Sequence, residues 1–303
     1  MSAAAFADRL LRAVEAKKSC LVVGIDPVED RLPPEVRAAA AGVGAARSAA
    51  ALGRFGRDVV GAVAASAVAV KPNIAFFERF GPAGMEAFQS VCARAREAGL
   101  LVIADAKRGD LESTAEAYAD AFLGDLPGTP GPLVDAITLN PYMGTDSMKP
   151  FLKRAREGGR GLFILVRTSN PSAAELQDQD CGGRPLYLRV ADLVARWGAD
   201  LEGESGFSAV GAVVGATVPR QAEEVRSALP RCVFLVPGYG AQGAGAAEVR
   251  PHFLPGGRGA VVNSSRGILL AHEKDSDRPW QEAVARAAER ARLDLESVRT
   301  SVV

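Results

Sequence analysis

Eight short apolar runs punctuate the chain, at residues 20–25, 67–70, 100–104, 134–139, 162–166, 209–214, 233–236 and 260–262. Between them, apolar residues return every three or four positions, as at 83–97, 147–157, 186–197 and 219–228. A parallel strand covered by helices is buried on both faces, so it reads as a near-continuous apolar run. Alternating strands and helices signal a parallel α/β fold, and eight such units predict one closed (β/α)8 TIM barrel, a single domain over residues 1–303. A helix precedes the first strand. An insertion after it, residues 33–51, and a polar stretch after the fifth strand, residues 170–184, exceed the minimal repeat and are expected at the rim where strands end. An extra C-terminal helix, 279–293, carries many alternating charges and reads as a solvated cover.

Composition narrows this picture. The chain has 303 residues, enough for two average domains or one barrel, with 48% hydrophobic and 24% charged residues, a globular balance. Lys plus Arg equals Asp plus Glu at 36 each, so no global field favours nucleic acid or an acidic membrane. Cys20, Cys92, Cys181 and Cys232 form no CxxC pair, and Cys20 and Cys232 fall in strand-like runs, which predicts reduced core residues. Asp8 and Glu15 interrupt the N-terminal apolar residues, unlike a signal peptide, and no run nears the ~18 residues of a membrane span. A cytoplasmic enzyme is expected.

Chemistry in a barrel gathers where strands end, and here several ends are charged. The first closes on Asp26, the second on Lys71, the third on Asp105 and Lys107. Any one could be an ordinary loop charge. Asp105 and Lys107 share the parity of Ile103 and should face one side together. A carboxylate beside an ammonium keeps both charged and fixes the lysine, which suits proton delivery to a developing carbanion. Asp110 follows a tight turn and could cap the next helix. Ser113 and Glu116 have capping-box spacing, which would leave Asp110 free for function.

Glycine-rich segments follow the last two strands, residues 237–243 and 263–267, where barrels commonly cradle phosphate. Arg266 offers a planar donor fork, Gln242 a side-chain amide, and the backbone near Ser265 further donors at a helix start. Ordinary loops with a solvated arginine are the alternative reading. Gly238, Gly240 and Gly243 also spell GxGxxG, a dinucleotide fingerprint, with Asn263 and SSR placed to suit NADP, but only one more strand follows. His252 and His272 adjoin no nucleophile pattern and read as surface or helix-end residues. No spacing suggests a metal site, and Lys107 between Asp105 and Asp110 would repel Mg²⁺.

The run DAKRGD, with Lys71 before it, resembles the Asp-x-Lys-x-x-Asp signature of the orotidine 5′-phosphate decarboxylases, in the form of their longer bacterial branch. The resemblance covers residues 24–267 and includes the segments 138–144 (TLNPYMG) and 168–171 (TSNP). It implies a cofactor-free enzyme converting orotidine 5′-monophosphate to UMP and CO₂ in pyrimidine biosynthesis. By the same resemblance Lys107 is the proton donor, Lys71, Asp105 and Asp110 complete the charged array, Asp26 binds ribose hydroxyls and Ser169 contacts the base. Asp110 and Thr114 would reach the partner's site in a homodimer. Two other readings stay open: a magnesium-dependent sugar-phosphate decarboxylase or aldolase of the same superfamily, and a non-catalytic phosphate-binding barrel.

Overall fold

The computed structural model describes residues 4–125, 131–240 and 243–302. A helix α1 (Phe6–Lys17) leads into β1 (Leu21–Ile25), followed by α2 (Pro34–Ala38) and the long α3 (Gly44–Val63). Then come β2 (Ala69–Pro72), α4 (Ala75–Glu78), α5 (Gly81–Glu97), β3 (Leu101–Arg108), α6 (Glu112–Leu123), β4 (Ala136–Leu139), α7 (Thr145–Gly158) and β5 (Gly161–Arg167). The last part carries α8 (Ala174–Gln177), α9 (Leu186–Gly198), β6 (Ser208–Val214), α10 (Pro219–Ala228), β7 (Cys232–Val236), α11 (Ala246–Val249), β8 (Ala260–Ser264), α12 (Arg266–Leu269) and α13 (Trp280–Arg299). Eight parallel strands pair in chain order and β8 closes on β1. The expected barrel is present, and a closed barrel removes the Rossmann reading of GxGxxG, which needs an open sheet.

Side chains pointing into the barrel, such as Val22, Ile103, Ala136, Phe163 and Val261, form one buried cluster. Outward-facing strand residues and the inner faces of the helices form a second, larger one. Helix α1 belongs to the first: it lies across the N-terminal end of the barrel, its Phe6 ring edge-on to Phe163 at 5.8 Å. Its Asp8 accepts hydrogen bonds from the amides of Glu204 (3.0 Å) and Ser205 (2.9 Å), and Arg9 pairs with Asp135. Apolar filling and fixed polar contacts thus seal that end.

Four expectations change. Residues 33–51 are not a rim loop but α2 and the start of α3, whose buried face of small residues, Ala49, Ala51, Gly53 and Gly56 among them, lets α5 pack closely. The C-terminal helix is longer than expected and not merely a solvated cover, since Trp280, Val284, Ala288 and Leu295 are buried and Trp280 stacks on Phe55 at 5.1 Å. Its alternating charges hid a stripe built largely of alanine. His252 does close a short helical turn, Arg250–His252, but is fully buried rather than on the surface, whereas His272 is half-buried within the turn Ala271–Glu273. Ser113 does not cap α6: the helix begins at Glu112 with Leu111 in the cap position, so Ser113 lies inside the first turn. Cys20, Cys92 and Cys232 are buried and free, and Cys181 is free and half-buried. Among the described residues no helix is long and apolar enough to cross a membrane.

Candidate active site

The C-terminal end of the barrel opens into a cavity of about 300 Å³ walled by Asp26, Lys71, Asp105, Lys107, Thr138, Ser169, Ser265 and Arg266 among others. Lys71, inside β2, is 5% exposed, and its Nζ donates to Oδ2 of Asp105 on β3. Lys107 Nζ donates to the other carboxylate oxygen, Oδ1. Burial alone would push the Asp105 carboxyl up, but the two ammonium groups outweigh it and hold the pKa far below the usual carboxylate range. For Lys71, burial disfavours the charge, yet Asp105 and Asp26 together raise its pKa. Asp105 and Lys71 are therefore both held in their charged forms.

Lys107 reaches Asp105 by an irregularity that simple strand alternation does not predict. Ala104 pairs with Ile137 and Arg108 with Leu139, so three residues of β3, Asp105 to Lys107, stand opposite the single residue Thr138 of β4. The bulge puts Lys107 at φ 47°, in the left-handed region. For a non-glycine residue this costs about 1–3 kcal/mol and persists only when surrounding contacts enforce it. Thr138 supplies them: its hydroxyl oxygen accepts from the amides of Ala106 and Lys107, both at 3.1 Å, and donates to Asp105 Oδ1 at 3.1 Å. Sequence reasoning placed Thr138 only within a matching segment. Its one signal was a polar residue near the end of the short fourth run.

Asp26 follows β1 directly, and its Oδ1 is buried without a partner. Ser169 lies on the connection after β5, and a Cβ on Gly215 after β6 would come within 2.8 Å of its side chain, so only glycine lets the two loops meet there. The polar stretch after β5 forms part of the rim, as expected. Gln177 there exchanges two 2.8 Å hydrogen bonds with Thr168, and Arg167 pairs with Asp178 at 2.8 Å. Ser265 and Arg266 lie at the start of α12. After the neighbouring β7, Tyr239 borders the cavity and donates its hydroxyl to Asp294 of α13 at 2.5 Å. Gln242 lies outside the described residues.

Two candidates stand apart. Asp110 is half-buried beyond the end of β3, its Oδ1 accepting from the amide of Leu111 at 2.8 Å, and Thr114 is exposed in the first turn of α6. Neither lines the cavity of its own chain. Asn263, missed as a site residue, does line it from β8. Among the described residues no group of three or more His, Cys, Asp or Glu is arranged to hold a metal ion.

Known proteins resemble this chain in sequence and fold. The profile of the orotidine 5′-phosphate decarboxylase / HUMPS family matches residues 20–277. An orotidine 5′-phosphate decarboxylase from Rhodopirellula baltica is 43% identical over 93% of this chain and 96% of its own length. One from Haloarcula marismortui is 41% identical over 90% of each. The solved structure of Leishmania donovani OMP decarboxylase superposes with a TM-score of 0.75 at 33% identity, covering 99% of both chains. With the barrel, the charged ladder at its open end and matches over nearly the whole length, the chain is a member of the orotidine 5′-phosphate decarboxylase / HUMPS family.

Proposed function

We propose that this protein is an orotidine 5′-phosphate decarboxylase, converting orotidine 5′-monophosphate to UMP and CO₂ with no metal or organic cofactor. The observation that carries this reading is the ladder in which one buried carboxylate, Asp105, is held on both oxygens by Lys71 and Lys107. A substrate carboxylate laid against Asp105 is repelled, and that repulsion eases as the charge moves onto the pyrimidine ring. The C6–carboxylate bond breaks, CO₂ leaves with no proton, and the electron pair stays on C6. The Lys107 ammonium stabilises the carbanion and gives it a proton, then recovers one from solvent. Arg266, with Gln242 and Ser265, takes the phosphate, Ser169 the base and Asp26 the ribose.

A homodimer completes the reading, with Asp110 and Thr114 contributed to the partner's cavity. Neither lines its own cavity, and near them in the chain large apolar side chains are exposed, Leu111, Tyr142 at 79% and Met143. An apolar patch of this kind favours a protein partner. The chain is read as one barrel domain, and its free cysteines suit a cytoplasmic location.

A magnesium-dependent sister activity would need Asp105 oxygens for the metal, and both already accept from lysines. Turnover of orotidine 5′-monophosphate, followed in the ultraviolet with and without EDTA, tests the reading. Lys107→Ala should abolish turnover while nucleotide binding remains measurable. Wild-type-like kcat in that variant, or loss of wild-type activity on chelation, would overturn it.

A further inference from the structure

Asn263 stands in the cavity wall on β8, 7% exposed. Its Nδ2 donates to Ser265 Oγ at 3.3 Å, while Oδ1 is buried with no hydrogen-bond partner. A buried carbonyl that has lost water without replacement costs about 1–3 kcal/mol, and folded proteins keep few of them. Gly24 of β1 is the neighbour of this oxygen, and a Cβ there would stand 3.0 Å from Asn263 Oδ1 and 1.9 Å from Ser265 Oγ. Glycine at 24 is what lets the Ser265 hydroxyl and the Asn263 amide pack against β1.

The surroundings define what fits. Asp26, two residues beyond Gly24, carries the second buried and unpartnered acceptor of the cavity wall. Lys71, in register with Gly24, has its ammonium on Asp105 rather than on the amide. Two acceptors on adjacent strands call for a ligand with two donors. A phosphate offers only acceptors at neutral pH and is served by Arg266, three residues further along. The base lies toward Ser169, on the connection after β5. The part of a nucleotide between them is the sugar, whose hydroxyls are its donors.

We propose that Asn263 is a substrate-binding residue whose Oδ1 accepts a hydrogen bond from a ribose hydroxyl, acting beside Asp26 to select ribonucleotides. This rests on the nucleotide reading given above. The amide serves as a neutral acceptor close to the phosphate, where a second carboxylate would repel it.

The test is calorimetric binding of UMP, 2′-deoxyUMP and 3′-deoxyUMP to wild type, Asn263→Leu and Asn263→Asp. Asn263→Leu should bind UMP about tenfold more weakly, the loss of one hydrogen bond, and the analogue lacking the bonded hydroxyl as well as wild type does. Asn263→Asp keeps the acceptor, so it should retain the UMP-to-deoxy ratio even if its charge weakens both ligands. Asn263→Ala replaces the leucine variant if leucine prevents folding. Unchanged ratios for both analogues in the leucine or alanine variant would overturn the assignment. If wild type also turns over orotidine 5′-monophosphate, the decarboxylase reading survives that failure. A wild type that binds no UMP and shows no turnover sinks both.

Discussion

Thr138 fixes the backbone of Lys107, its hydroxyl oxygen lying 3.1 Å from the Lys107 amide nitrogen at the one point where β3 bulges against β4. Since the lysine's backbone sits at φ 47°, removing that acceptor frees it to relax toward ordinary strand geometry. Thr138→Val keeps the shape and loses the hydrogen bonds. Its kcat should fall about 10- to 100-fold, as expected for a reacting group displaced by ~1 Å, with KM changed far less. A variant with full kcat would show that the bulge holds itself.

Subunit complementation tests the crossing of Asp110. Lys107→Ala and Asp110→Ala should each be inactive as homodimers. Mixed dimers should regain activity, because one of their two sites then holds an intact Lys107 from one chain and an intact Asp110 from the other. No rescue, with subunit exchange verified by mass, would return Asp110 to its own chain or remove it from the site.

Arg266 should matter only to ligands with a phosphate. Charge-assisted hydrogen bonds contribute ~1.5–3 kcal/mol each and a guanidinium fork can make two. Arg266→Ala should thus lose several kcal/mol in kcat/KM on the nucleotide and little on the nucleoside orotidine, with partial recovery in added guanidinium. The ratio of the two substrates in wild type and variant decides it. An unchanged ratio removes Arg266 from phosphate binding.

His252 makes stability depend on mild acid. Burial and nearby Arg226 lower its pKa from 6.5 to about 4, against the pull of the Gly215 and Val249 carbonyls at its two ring nitrogens. Between those values the unfolded chain binds a proton that the folded chain does not, so stability falls as pH drops through that window. From pH 6.5 to 5 the loss should be about 1.5 kcal/mol. The depressed Asp105 carboxyl begins to cost stability only near and below its ordinary value, ~3.9, so the windows separate. Urea unfolding at both pH values checks it. Equal losses in wild type and His252→Gln would clear the histidine.

The fold was legible because buried parallel strands declare themselves as apolar runs, and each of the eight overlaps the observed strand. Lys71 was legible because it is a charge closing an apolar run, at the strand end where barrel chemistry gathers. Thr138 and Asn263 were not, since an uncharged polar residue near the end of a strand reads the same whether it faces the barrel axis or a helix. The first turn of α6 was misread because Ser113 and Glu116 supply a correct local pattern that the chain does not use, its entry being set by Leu111 after the bulge. His252 was misread because sequence spacing does not show that two distant carbonyls, Val249 and Gly215, converge on one ring.

Helix α1 has a consequence for traffic. With Phe6 and its neighbours stopping one end of the barrel and packed side chains filling the middle, the cavity among the described residues has a single door. Everything that enters or leaves uses the rim. Substrate and both products then share one route, and a helix at the opposite end of the barrel is what makes it so.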